Sequence, residues 1–178
     1  MRRFSLKSIL GGVSRVATGK MSLVTEPDAT WLAWADSHEF EYQLDGSDLV
    51  GRYFERPPDR PRTDEQYYGI VRGTWNDRPF TYFQRKTLGG ATREPGPQFM
   101  AALLLQLPGA PRADLLAMEP QEAFAAAGGK LPNTGSFQWH PPDLLLGRGH
   151  WFEPPQIEGI LENLTLQLAI APAELWQS

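Results

Sequence analysis

The sequence predicts an α+β fold, an antiparallel sheet with an N-terminal helix and a C-terminal helix packed on it. Three observations predict it. Residues 67–75 (YYGIVRGTW) and 79–85 (PFTYFQR) are β-rich runs that flank Asn76-Asp77, a pair suited to a tight hairpin turn. The continuous apolar run FMAALLLQL, from Phe99 to Leu107, fits a strand buried on both faces. After Pro154-Pro155, the residues Ile157, Ile160, Leu161, Leu164 and Leu168 form one stripe at helical spacing. A helix, an antiparallel sheet and a closing helix on one sheet face make the simplest layered solution for these elements.

The remaining elements follow in order. In Thr25-Glu26-Pro27-Asp28, Thr25 reads as an N-cap with Asp28 three residues on, and Pro27 suits a first helical turn. The helix that follows carries Trp31, Trp34, Ala35 and His38 on one face. Phe40, Tyr42 and Leu44 then alternate with polar residues and end at Asp45-Gly46, a short strand and turn. Residues 55–66, with three prolines and mixed charge, read as an exposed loop, and the Gly/Pro-rich residues 88–98 as a second. Pro120 opens a short Ala-rich helix that Gly128-Gly129 stops. Residues 136–140 and 143–152 complete the sheet as two further strands.

With 178 residues, the chain is of single-domain size, and the domain spans residues 25–178. Six Trp, nine Phe and five Tyr supply a large apolar area, enough for a core despite 16 Pro and 17 Gly. There is no cysteine, which excludes disulfides, thiolate metal sites and cysteine nucleophiles. No stretch approaches the roughly 18 apolar residues of a membrane span.

Residues 1–24 read as a separate basic segment, amphipathic or flexible. Arg2, Arg3, Lys7, Arg15 and Lys20 give the first twenty residues a charge of +5 and leave −9 for the rest of a chain whose net charge is −4. Leu6, Ile9, Leu10, Val13, Val16 and Ala17 recur there at helical spacing. Such a segment suits an anionic membrane surface or a protein partner. The acidic body argues against nucleic acid as a partner, since that would need cations clustered on the folded face.

Catalytic and metal-binding patterns are sparse. The three histidines are His38, His140 and His150, and no run has the spacing of a zinc site. His140 and His150 flank an expected hairpin, with Glu153 nearby, and form the alternative polar site. Ser136 is the serine to pair with either of them, although no G-x-S-x-G turn is present. Asp64, Glu65, Glu153 and Glu158 are available as paired carboxylates, but acids of a soluble domain belong by default to its solvated surface. Glu158 and Glu162, four residues apart, read as the wet face of the last helix. The loop from Leu88 to Arg93 lacks the Gly-Lys-Ser/Thr ending of a phosphate loop. Asn163-Leu164-Thr165 matches a glycosylation sequon inside an amphipathic helix, a chance match. Neither a metal nor a cofactor is expected. Trp75, Trp139, Trp151, Phe152 and Trp176 sit at element ends, where they serve the core or line a groove.

Three segments carry a family resemblance. WLAWADSHEFEY, GIVRGTWNDRPFTYFQ, and DLLLGRG followed by IEGILENLTLQLAIAPAELW resemble a loosely defined group of uncharacterised actinobacterial proteins. The likeness lies in core positions over about half the chain. It implies a helix–strand opening, a hairpin, a late strand, a closing helix and a terminal tryptophan. Members carry an N-terminal membrane helix or a basic segment, and here the basic stretch stands in that place. The resemblance implies no activity and no site residue.

The expected function is a non-enzymatic, protein-binding domain in the cytoplasm, peripheral to the membrane surface through residues 2–20. The alternative is a small hydrolase or ligand-binding domain with a polar site near His140 and His150. A binding module would present an apolar surface, and an enzyme a convergent polar pocket. Lys and Arg near anionic lipid contribute about 1 kcal/mol each. The full chain is therefore predicted to co-sediment with anionic vesicles at low salt and to be released at high salt. A chain starting at Met21 should stay in the supernatant with its melting temperature unchanged. A large fall in melting temperature would instead place the stripe on the protein's own core.

Overall fold

The computed structural model describes residues 23–53, 65–88 and 97–176. Helix α1, Ala29–Ser37, opens the described fold and strand β1, Glu41–Asp45, follows. Strands β2, Glu65–Trp75, and β3, Arg78–Leu88, form a hairpin, and β4 is Pro97–Gln106. Then come helix α2, Pro120–Ala126, strands β5, Ser136–His140, and β6, Asp143–Arg148, and helix α3, Pro154–Ile170. The six strands make one sheet in the order β1-β2-β3-β4-β6-β5, with every pairing antiparallel. The α+β class and both expected flanking helices are as the sequence implies. Among the described residues, no helix is long and apolar enough to cross a membrane.

Local chemistry accounts for most element boundaries. The β2–β3 turn places Asn76 and Asp77 at φ 47° and 63°, the left-handed backbone that a two-residue hairpin demands. Helix α2 begins at Pro120 and ends before Gly128, at φ 80°. Two expectations need correction. The N-cap of α1 is Asp28, not Thr25: its Oδ1 accepts from the Thr30 and Trp31 backbone N–H groups at 2.9 and 3.4 Å. A carboxylate next to the first helical residue satisfies two orphan donors that Thr25, four residues upstream of that residue, does not reach. The last strand stops at Arg148 instead of continuing to residue 152, because Phe152 turns into the core and is fully buried.

Both faces of the sheet are covered. On one face, Val71, Tyr82, Leu103, Leu105, Leu144 and Leu146 meet α1, α2 and α3. On the other, Tyr67, Ile70, Phe83, Ala102, Leu104 and Leu145 pack under Leu49, Val50 and Tyr53. The apolar run in β4 thus divides residue by residue between two cores, as a strand buried on both faces must. A bulge in β2 reconciles that hairpin with two cores. Tyr68 faces Gln84 and Val71 faces Tyr82, so Gly69 and Ile70 together oppose one residue. Gly69 has φ 59°, the left-handed residue of a glycine bulge. The extra residue shifts the side-chain alternation by one, which sends Tyr67 and Ile70 to one core and Tyr68 and Val71 to the helical side.

Helix α3 buries its stripe of Ile157, Ile160, Leu161, Leu164 and Leu168. Its acids lie on the wet face as expected, Glu162 exposed and Glu158 half-exposed, and also bind neighbouring elements. Trp34 Nε1 donates to Glu158 Oε1 at 2.6 Å, and Trp75 Nε1 donates to Glu162 Oε2 at 3.2 Å. The Asn76 carboxamide reaches Glu162 Oε2 and Thr165 Oγ1 at 3.1 and 3.2 Å. Three groups on α1 and the β2–β3 hairpin therefore locate α3 along its length and about its axis. Leu164→Asp places an unpaired charge inside this core and is predicted to cost about 3 kcal/mol or more, or to prevent folding. A thermal melt within a degree or two of the parent would show that α3 is not a core element.

Candidate functional site

The residues singled out for chemistry are dispersed. His38 closes α1: its Nδ1 lies 3.0 Å from both Trp34 O and Ser37 Oγ, and its Nε2 lies 3.6 Å from Glu158 Oε1. The ring stacks on Phe40 at 5.3 Å. His140 ends β5, with Nε2 2.9 Å from the Arg52 carbonyl and its ring 4.8 Å from Tyr53. It pairs with Asp143 at the turn, where burial raises the Asp143 pKa and His140 opposes the rise. His150 lies beyond the other end of β6, which the run from Asp143 to Arg148 separates from His140 by about 17 Å at ~3.4 Å per residue. The hairpin keeps His140 and His150 apart. Ser136 is exposed opposite Gly147, at the end of β5 away from His140.

The acids are likewise engaged. Glu65 receives Arg85 through two hydrogen bonds, at 2.7 and 3.2 Å, and the pair is largely buried. Glu153 caps α3 in a reciprocal arrangement with Gln156. Among the described residues, no three His, Asp or Glu side chains group to hold a metal ion. Asp64, the loop beyond Leu88, and Arg2, Arg3, Lys7, Arg15 and Lys20 lie outside the described residues.

A different site emerges on the helical side of the sheet, at the end that α2 and α3 leave uncovered. It is a cleft of about 380 Å³, within the range of small-ligand pockets. Tyr42, Tyr68, Gln84 and Phe99, one from each of four adjacent strands, line it, and Trp31 and Trp151 also contribute. The segment entering α1 forms part of the rim. Val24 exchanges two hydrogen bonds with the Gln66 carboxamide, at 2.8 and 2.9 Å, and the Asp28 N–H donates to the Tyr42 hydroxyl at 3.3 Å. Trp31 is fixed by stacking on Tyr82 at 4.1 Å and 10°. Trp151 is 47 % exposed and meets Phe99 edge to face at 5.1 Å. The larger depression beside it, about 730 Å³, is more open, and the Arg85 guanidinium that lines it is already clamped by Glu65.

The floor of the cleft is polar. Gln84, only 6 % exposed, donates Nε2 to the Tyr82 hydroxyl at 3.2 Å. Gly69 lies over it: a Cβ there would stand 3.7 Å from the Gln84 carboxamide carbon, so any side chain would cover the amide. The Tyr68 hydroxyl is sealed from solvent, and its proton has no acceptor within hydrogen-bond distance. Burial pushes its pKa up to about 12, and the Trp151 indole N–H, directed at the hydroxyl oxygen, opposes the rise. Burial also raises the Tyr82 and Tyr42 pKa values. These hydroxyls stay protonated at neutral pH and act as hydrogen-bonding groups, not as nucleophiles.

Among the tryptophans at element ends, Trp75, Trp139 and Trp176 pack half-buried against the core, and Trp151 lines the cleft. The cleft residues themselves escape a reading by local pattern. Two signals for them exist in the sequence: glycines within the β2 run, of which Gly69 marks a bulge, and Gln84 in phase with Phe80 and Tyr82. The fold and site together define an α+β domain with an aromatic cleft on the helical side of its sheet. No family model, curated protein or solved structure matches the chain.

Tyr68→Phe removes a buried hydroxyl whose proton has no acceptor and is predicted to stabilise the domain by about 1 kcal/mol at neutral pH. The pH dependence has a definite sign. An unfolded Tyr68 ionises near pH 10, whereas the folded one holds its proton to about 12. Its contribution is present below pH 10 and is lost as pH rises towards 12. Urea unfolding at pH 8, 10 and 11 should show a smaller alkaline loss in the variant, with Tyr42 and Tyr82 keeping part of it. A variant less stable at pH 8, or one with the parent's alkaline loss, would contradict this account.

Proposed function

We propose that this is a non-enzymatic, protein-binding domain whose aromatic cleft grips an apolar side chain of its partner. The cleft itself carries the reading: aromatic walls, one half-exposed tryptophan and hydrogen-bonding groups in the floor. Tryptophan and tyrosine give large contact areas at low entropic cost, which is why they dominate recognition hot spots. The hydroxyls and the amide supply hydrogen bonds that orient a bound side chain. The membrane contact proposed for residues 2–20 is separate and rests on their charge and on the helical spacing of their apolar residues.

Selection from a random peptide library tests the proposal directly. Enriched peptides are predicted to carry an aromatic residue and to lose at least tenfold in affinity with Trp151→Ala, at an unchanged melting temperature. An exposed indole can be removed without opening the core. Failure to enrich any peptide, or equal binding by the variant, would overturn it.

A further inference from the structure

We infer that the group seated in the cleft is a phenol, the side chain of a tyrosine on the partner. This rests on the binding function proposed above and specifies its ligand. The floor poses a defined hydrogen-bonding requirement. The Tyr68 hydroxyl, on a side chain in a residue only 5 % exposed, has a proton to donate and no acceptor within reach. Beside it, the Gln84 amide nitrogen is committed to the Tyr82 hydroxyl, which leaves the carbonyl oxygen as an acceptor. A ligand hydroxyl satisfies both at once, accepting from Tyr68 and donating to Gln84. A bare hydrocarbon satisfies neither and leaves the buried Tyr68 hydroxyl without an acceptor.

The glycine bulge leaves the Gln84 amide uncovered, and the sealed Tyr68 hydroxyl is reached once Trp151 turns aside. At φ 59°, position 69 favours a residue without a Cβ, and a side chain there would stand over the Gln84 carboxamide. The walls select the body of the ligand. Trp31, Phe99 and Trp151 suit a planar ring that stacks or meets them edge to face. Glu26, Asp28 and Lys86 give the lining charges of both signs, so the selection falls to the aromatic walls and the hydrogen-bonding floor. Trp151, exposed and two residues from Gly149, is the wall that can turn to admit the ring.

The test compares p-cresol with toluene, its isostere without the hydroxyl, on the full chain, read by the indole N–H resonances of Trp31 and Trp151. p-Cresol is predicted to bind at least about tenfold more tightly than toluene. Tyr68→Phe should bring that ratio down towards one while leaving toluene binding unchanged. Gly69→Asn, which tolerates a left-handed backbone, should block p-cresol through its side chain with the fold retained by circular dichroism. A short peptide with a central tyrosine flanked by glycine and serine should shift the same indole resonances, and its phenylalanine counterpart should do so at least tenfold more weakly. Equal binding of toluene and p-cresol, or a ratio unchanged by Tyr68→Phe, overturns the inference. Binding of p-cresol without the tyrosine peptide also overturns it, in favour of a free phenolic ligand. If selected peptides bind through aromatic residues but toluene matches p-cresol, the hydroxyl requirement fails while the protein-binding function stands. If p-cresol binds selectively and no peptide is enriched, the protein-binding function fails instead.

Discussion

Strand β4 is apolar on both faces, and that requirement organises the molecule. Ala101, Leu103 and Leu105 point to the helices, while Ala102 and Leu104 point the other way. Each buried leucine contributes about 1.5–3 kcal/mol, so neither face can be left to solvent. The neighbours β3 and β6 repeat the division, with Tyr82 and Leu146 on the helical side and Phe83 and Leu145 on the other. The helical side receives three helices. Among the described residues, Leu49, Val50 and Tyr53 pack on the second side.

Apolar burial alone does not fix a helix on a sheet, because a leucine stripe slides and rolls at little cost. The polar clasps of α3 remove that freedom. Glu158 takes the indole N–H of Trp34, and one turn later Glu162 takes that of Trp75. Two directional bonds, one helical turn apart, set both position and rotation. They are only partly buried, so each contributes modestly to stability, about 1 kcal/mol or less. Their larger effect is on uniqueness: the same core packs one way. The hairpin turn joins in through Asn76, whose side chain reaches α3 while its backbone makes the turn.

The cleft exists because the helices cover the sheet unevenly. Where they end, the sheet face changes from leucine and valine to Tyr68, Gln84 and Phe99. A buried amide, a hydroxyl without an acceptor and a left-handed glycine sit together on that floor. Each violates a local rule of good packing, and violations of this kind gather where a fold has something other than stability to satisfy. The nearest tyrosines and tryptophans are held by their own contacts, which gives the cleft rigid walls on one side. The exposed Trp151 leaves the other side adjustable.

Much of the fold was legible in residue order. The hairpin at Asn76-Asp77, the doubly buried strand, the Ala-rich helix between Pro120 and Gly128, and the stripe of α3 all follow from short-range geometry. Helical and strand periodicity and the φ demands of a turn are properties of neighbouring residues, so sequence expresses them directly. Tertiary structure decided the rest. Choosing Asp28 over Thr25 as the cap depends on where α1 meets the sheet. The separation of His140 from His150 depends on a tight turn that pairs His140 with Asp143. The assignment of Glu158 and Glu162 depends on indoles more than 80 residues away. The cleft depends on four strands and the residues around Trp151, brought together only by their pairing register. A site assembled from side chains distant in sequence leaves no periodic trace along the chain, because its geometry belongs to the sheet and not to any one strand.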